Sequence, residues 1–240
     1  MITQDFSYKI YNNNILHLEW APAIDIAQMQ KIKHFASQIK DHYQIHVIDI
    51  VPAYHSLTIF LKDSIDHASE LINSLQEIYH LASTVPTESR KIWRIPVVYG
   101  GIYGPDLEVI CKNLKMNPDQ LIEKHTAPVY DVHFIGFLPG FPYLGGLDPD
   151  LHITRKNVPA PSVVPGSVGI GGNQTGIYPV NSPGGWHIIG NTPFPVFDPK
   201  RRPQIVIKSN DRIQFYSINE SDLEASRIRI WQEIQKSITN

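Results

Sequence analysis

The sequence predicts an α+β chain in two parts. Residues 1–88 form an N-terminal ββαββα-type α/β sandwich, and residues 89–240 form a barrel or sandwich of short strands that ends in a helix. Three observations carry this prediction. Apolar stretches of strand and helix period alternate before Pro86. All fifteen glycines lie between Gly100 and Gly190. Thirteen of the nineteen prolines fall between Pro128 and Pro203, punctuation that suits short strands and turns better than helices.

In the first part, Phe6–Tyr11 and Ile15–Trp20 read as strands around the turn-prone Asn12-Asn13-Asn14. A helix follows over 25–40, with Met29, Ile32, Phe35, Ala36 and Ile39 at helical spacing. Gln44–Val51 and Ser56–Leu61 are β-branched and apolar, as strands require. Asp63 or Ser64 is placed to cap a second helix, whose inner face is Ile65, Ala68, Leu71, Ile72, Leu75, Ile78 and Ala82. A sheet covered by two helices is the layer these elements build.

In the second part, Lys91–Tyr99 reads as a strand and Gly100–Pro105 as a loop. Short helices follow over 106–114 and 118–125, the latter started by Pro118, whose missing amide would be unpaired anyway. Val129–Phe137, Gln204–Lys208 and Arg212–Ile218 have strand character. Ser221 and Glu224 are spaced as a capping box for a last helix with the stripe Leu223, Ile228, Trp231, Ile234 and Ile238.

Composition removes several function classes. A formal net charge of -2 does not supply the basic surface that nucleic acid attracts. No apolar run approaches the roughly 18 residues that span a membrane, and Met1–Phe6 has neither a basic start nor an apolar core, so no signal peptide is expected. Cys111, the only cysteine, reads as a helix-face residue, and one cysteine makes no internal disulfide, so a cytoplasmic setting is expected. Eleven histidines show no metal-ligand spacing, and no metal is expected. Neither a phosphate loop nor a nucleophile elbow occurs, and no acid or histidine pairs with Ser167 or Ser182. The amides of Gly166–Gly172 suit a hairpin better than an anion nest.

The polar and aromatic residues of the glycine-rich half are the candidates for ligand contact. Gln174 and Thr175 offer an amide and a hydroxyl between turns, while Tyr178 and Trp186 offer flat amphipathic faces. His187 follows Trp186, and Asn191 and Thr192 follow Gly190 in a further turn. Such density fits a pocket that is mainly apolar with a few convergent polar groups.

One run is long and specific. Gly136-Phe137-Leu138-Pro139-Gly140-Phe141-Pro142-Tyr143-Leu144-Gly145-Gly146 is followed by Gly166-Ser167-Val168-Gly169-Ile170, Gln174-Thr175-Gly176-Ile177-Tyr178-Pro179, Ser182-Pro183-Gly184-Gly185-Trp186, Thr192-Pro193 and Phe197-Asp198-Pro199. In this order the blocks resemble the KipI / PxpB family, also called allophanate hydrolase subunit 1. The resemblance implies a cyclophilin-like β-barrel after the α+β domain. It also implies a subunit of an ATP-dependent 5-oxoprolinase, which cleaves 5-oxoproline to L-glutamate with ATP and Mg2+, the nucleotide bound by the complex or by this chain.

The implied partners are a second barrel subunit, PxpC-like, and a PxpA-like subunit. Two other roles occur among relatives: a regulatory protein that inhibits a sensor histidine kinase, and a carboxyltransferase or allophanate-hydrolase-like subunit acting on a urea-derived substrate. For the leading role, Gln174, Thr175 and Tyr178 are assigned to substrate contact, with Trp186 and Thr192 shaping the pocket; no nucleophile or base is assigned. Many members carry arginine where this chain has Ser162 and Asn191. Arg155, Lys156 or a partner is left to meet an anionic group.

Overall fold

The computed structural model describes residues 5–23, 25–44, 46–81 and 90–239. They fall into two compact units, Met1–Ser89 and Arg90–Asn240.

The first unit runs β1 (Ser7–Tyr11), β2 (Ile15–Glu19), α1 (Ile26–His42), β3 (Val47–Pro52), β4 (Ser56–Leu61) and α2 (Ala68–Leu81). The strands form one antiparallel sheet in the order β1-β2-β4-β3. Asn12 and Asn13 take the left-handed backbone that lets the β1–β2 hairpin turn tightly. Strand alternation sends Leu16, Leu18, Leu57 and Ile59 to one face, where Ile32, Phe35 and Ile39 of α1 and Ile72, Leu75 and Tyr79 of α2 cover them. Asp25 caps α1 by accepting from the amides of Ala27 at 2.6 Å and Gln28 at 3.2 Å.

The second helix starts later than its sequence suggests. Asp63 and Ser64 do not cap it, because Asp63 Oδ2 faces His46 Nδ1 at 2.9 Å and the Ile65 amide bonds to the Asn13 carbonyl. The chain is thus held against the β1–β2 turn until Ala68. Ala82, at the end of the expected inner face, lies outside the described residues.

The second unit contains β5 (Ile92–Tyr99), α3 (Leu107–Leu114), α4 (Pro118–Thr126), β6 (Tyr130–Ile135), β7 (Pro142–Gly145), β8 (Ala160–Val163), β9 (Ser167–Gly171), β10 (Gln174–Ile177), β11 (Ser182–Gly184), β12 (His187–Asn191), β13 (Arg212–Ser217) and α5 (Leu223–Thr239). Seven strands close into a barrel in the order β10-β7-β6-β13-β5-β12-β9, while β8 and β11 pair separately. Closure removes the unpaired edges that an open sheet would expose. The core is filled by Ile95, Val97, Val132, Leu144, Val168, Ile170, Ile177 and Ile213.

Two expectations for the C-terminal third are corrected. Gln204–Lys208 is not a strand: Asp198 N bonds to Gln204 O and Lys208 N to Asp211 Oδ2, so its backbone groups go to loops and not to a ladder. Ser221 is not an N-cap either, because it sits inside a 3-10 turn, Glu220–Asp222, and Glu224 faces Arg227. The docked face of α5 is Ser226, Ile230 and Ile234, at i, i+4 spacing, whereas Ile228 is exposed. The side chains of Trp231 and Ile238 lie outside the described set.

The helix α4 has the strongest local specification. Asn117 Oδ1 accepts from Gln120 N, and Gln120 Oε1 accepts from Asn117 N, both at 2.9 Å, with Pro118 in the first turn. Asn117→Ala is expected to lower stability by about 1 kcal/mol, seen as a lower urea midpoint at constant slope. An unchanged midpoint would show that the cap contributes nothing.

Candidate functional site

The turns between β6 and β12 assemble an aromatic cluster distinct from the barrel core. It consists of Phe141, Val163, Tyr178, Trp186 and Ile188, all buried. The Phe141 ring meets Tyr178 edge-on at 5.2 Å and Trp186 edge-on at 5.4 Å, and lies 4.8 Å from Tyr143. Edge-to-face contacts of this kind favour one arrangement of the rings over a sliding stack. Glycine allows the close approach. A Cβ at Gly171 would lie 2.5 Å from Trp186 Cδ1, and one at Gly184 would lie 2.5 Å from the Tyr178 hydroxyl.

Beside these rings is a recess of about 340 Å³, walled by Phe137, Phe141, Tyr143, Tyr178 and Trp186 and rimmed by Arg155 and Lys156. Phe137 stands at its mouth, 63% exposed, in a left-handed backbone conformation. The Arg155 guanidinium lies over the Trp186 ring, 5.8 Å from its centroid. Burial raises the phenol pKa of Tyr143 and of Tyr178, with the Arg155 charge opposing the shift in both; Tyr178 is also lowered by a hydrogen bond with the Trp186 backbone. Both hydroxyls therefore keep their protons at neutral pH.

A second recess of about 460 Å³ adjoins the first, lined in part by Tyr103, Asp106, Lys156, Ser162, Ser167 and Asn191. Lys156 lines both recesses and is held in an ion pair. Lys156 Nζ lies 2.6 Å from Asp106 Oδ2, which also accepts from the Ile188 amide at 2.6 Å. Lys156 is thereby neutralised in place. Ser162 Oγ donates to Asn181 Oδ1 at 2.7 Å, and Asn191 Nδ2 donates to the Pro165 carbonyl at 3.0 Å. Ser162 and Asn191 therefore line this second recess, tied into its turns.

Inside the barrel a polar chain runs through His125, which is fully buried. Tyr99 OH lies 2.7 Å from His125 Nδ1, His125 Nε2 lies 2.9 Å from Thr175 Oγ1, and Thr175 Oγ1 donates to the Gly169 carbonyl at 2.9 Å. The direction follows from the last bond. Thr175 spends its one proton on Gly169, so His125 Nε2 donates to Thr175 and Nδ1 accepts from Tyr99. Burial lowers the His125 pKa to about 3, which keeps the imidazole neutral.

A family profile described as "Carboxyltransferase domain, subdomain C and D" matches residues 6–207. The 5-oxoprolinase B subunit of Escherichia coli O157:H7 is 39% identical over 198 residues, covering 82% of this chain and 89% of its own. The chain belongs to the KipI / PxpB family. The corresponding 5-oxoprolinase B subunit of Bacillus subtilis is 38% identical over 188 residues, covering 74% of this PxpB-family chain and 78% of its own.

Among solved structures, TTHA0988 superposes with a TM-score of 0.71 at 29% identity, over 85% of this chain and 40% of that one. The chain thus spans less than half the length of TTHA0988. The urea amidolyase of K. lactis superposes with a TM-score of 0.72 at 18% identity, over 92% of this chain and 15% of that one, a likeness of fold alone.

Of the five residues singled out in the sequence, the PxpB-family fold brings Tyr178 and Trp186 together at the aromatic recess. Gln174 is buried on β10, where it pairs with Gly171. Thr175 belongs to the His125 chain within the barrel. Thr192 is buried, and its Oγ1 accepts from the Phe194 amide at 3.1 Å. None of these three lines either recess. His187 Nε2 donates to the Thr154 carbonyl at 3.0 Å, tying β12 to the loop that carries Arg155. Cys111 is buried on α3, and burial pushes its thiol pKa up, the reverse of what a nucleophile needs.

Sequence reasoning did not place Phe141 or Tyr143 at the site, and it offered Arg155 only beside Lys156 and a partner as a group to meet an anion. The only signal for the first two was their position within the Gly-Phe-x-Pro-Gly-Phe-x-Tyr block.

Proposed function

We propose that this chain is the B subunit of an ATP-dependent 5-oxoprolinase that opens 5-oxoproline to L-glutamate. The observation that carries the reading is the 39% identity to the E. coli 5-oxoprolinase B subunit across 82% of the chain. The family match over residues 6–207 includes every residue that lines the aromatic recess. Tyr178 and Trp186 are the proposed contacts for the ring of the substrate.

A five-membered lactam is a planar amide, stabilised by resonance, and its opening needs orientation, a withdrawn electron pair and exclusion of bulk water. The recess offers apolar walls, two phenol donors and a cation. ATP would supply activation of the carbonyl oxygen, with Mg2+ arriving on its phosphates. Arg155 is the side chain on this rim suited to an anionic group, since Lys156 is already paired.

The second barrel subunit and the PxpA-like subunit complete the proposed assembly, working in the cytoplasm. Phe137, Ile102, Val158 and Val164 are apolar side chains left exposed on this unit, and a covering partner would bury such groups. The test is reconstitution. The chain, mixed with its two partner subunits, is expected to release glutamate from 5-oxoproline only when ATP is present, and not when this chain is omitted. An assembled, soluble three-part complex that releases none would overturn the reading.

A further inference from the structure

The rim of the aromatic recess carries two cations with different availability. Lys156 is held by Asp106 at 2.6 Å. Arg155 has no ion pair among the described residues, and its guanidinium rests over the Trp186 ring face, 5.8 Å from the centroid. The recess therefore presents one uncompensated positive charge over a wall of aromatic rings. It also presents two phenols that stay protonated, Tyr143 and Tyr178, and both feel the Arg155 charge. Its volume of about 340 Å³ is at the small end of ligand sites, which run from roughly 300 to 1,000 Å³.

We propose that Arg155 reads the carboxylate of a small cyclic-amide acid whose ring lies against Trp186, Phe141 and Tyr178. This rests on the 5-oxoprolinase reading and names the residue that selects its substrate. A guanidinium presents paired N–H groups that match the two oxygens of a carboxylate, and it stacks on an indole without losing them. A single guanidinium balances a single carboxylate. A nucleotide triphosphate brings several charges that this rim does not balance, so the recess is selective for the monoanionic acid. The phenols complete the match: Tyr143 and Tyr178 donate to the lactam oxygen while Arg155 holds the other end of the molecule. A ring acid lacking the ring carbonyl loses the first contact, and a lactam lacking the carboxylate loses the second.

The test is isothermal titration of the assembled complex with 5-oxoproline and with 2-pyrrolidinone, the same ring without the carboxylate, using wild type, Arg155→Ala and Arg155→Lys. Arg155→Ala is expected to weaken 5-oxoproline binding roughly ten- to a hundred-fold, the range of a lost charged hydrogen-bond pair, with Arg155→Lys in between. Binding of 2-pyrrolidinone and the KM for ATP are expected to stay within about twofold, and the exposed position of Arg155 is expected to leave the melting temperature unchanged.

Three results would each overturn the inference: no 5-oxoproline binding by wild type, equal binding by Arg155→Ala, or equal loss of both ligands. Turnover separates this inference from the function it rests on. Glutamate release with an unchanged KM in Arg155→Ala sinks the role of Arg155 alone. Binding through Arg155 without any glutamate release sinks the 5-oxoprolinase reading alone.

Discussion

His125→Phe is expected to flatten the acid sensitivity of the barrel unit while lowering its stability at neutral pH. The imidazole is fully buried, stacked on Phe215 at a centroid distance of 4.8 Å, and bonded at both nitrogens. Its folded pKa of about 3 lies below the unfolded value near 6.5. As the pH falls through that window, the unfolded chain takes up a proton that the folded chain refuses. Stability is therefore full above about pH 6.5 and is lost progressively toward pH 3.

Between pH 7 and pH 5 this one group accounts for about 2 kcal/mol of lost stability in the wild type. The phenylalanine variant keeps the ring stack and lacks the titration. It also leaves the Tyr99 hydroxyl without its acceptor, at a cost on the order of 1–3 kcal/mol at pH 7. Urea unfolding of both proteins at the two pH values checks this. Parallel losses of stability on acidification would refute the assignment of the effect to His125.

Phe141→Ala is expected to lower the stability of the barrel unit by roughly 3–5 kcal/mol, the range for deleting a buried aromatic ring. Phe141 is buried against Tyr178, Trp186 and Tyr143, so its removal leaves three rings without the edge that holds them. For a unit of this size that loss corresponds to a fall of roughly 10 °C in melting temperature. Binding of 5-oxoproline by the complex is expected to fall at the same time, because the Trp186 and Tyr178 faces are no longer fixed. Phe141→Leu restores part of the volume and is expected to recover part of both. A Phe141→Ala protein that melts like wild type would show that the cluster is not held together through this ring.

The first unit was legible because its two central strands and both helices have one covered face. Leu16 and Leu18 alternate with half-buried neighbours, and Ile32, Phe35 and Ile39 recur at helical spacing, so period alone separates strand from helix. The late start of α2 came from a long-range pairing of Asp63 with His46 that no local spacing reveals, and β3 likewise starts at Val47 and not at Gln44. In the second unit strand character was legible, apart from the loop Gln204–Lys208, but the direction of the side chains was not. Every position of β9 and of β10 is buried, because both faces of those strands are covered. Alternation between buried and exposed then carries no information about which side faces the barrel interior and which faces the recess. Gln174 and Thr175 were singled out for that reason, as polar residues in a glycine-rich segment, and Thr175 proves to be an inner link of the His125 chain.

By itself the sequence determined the ββαββα order, the strand-and-turn second half and, through the blocks from Gly136 to Pro199, the family. These are properties of local period and of turn residues, which each short segment carries within itself. The tertiary structure alone decided that Phe141, Tyr143, Tyr178 and Trp186 share one recess, that Lys156 is neutralised by Asp106, and that Arg155 stands over the indole. Those residues span the chain from 106 to 186, and their meeting depends on how the barrel closes, which no single segment encodes.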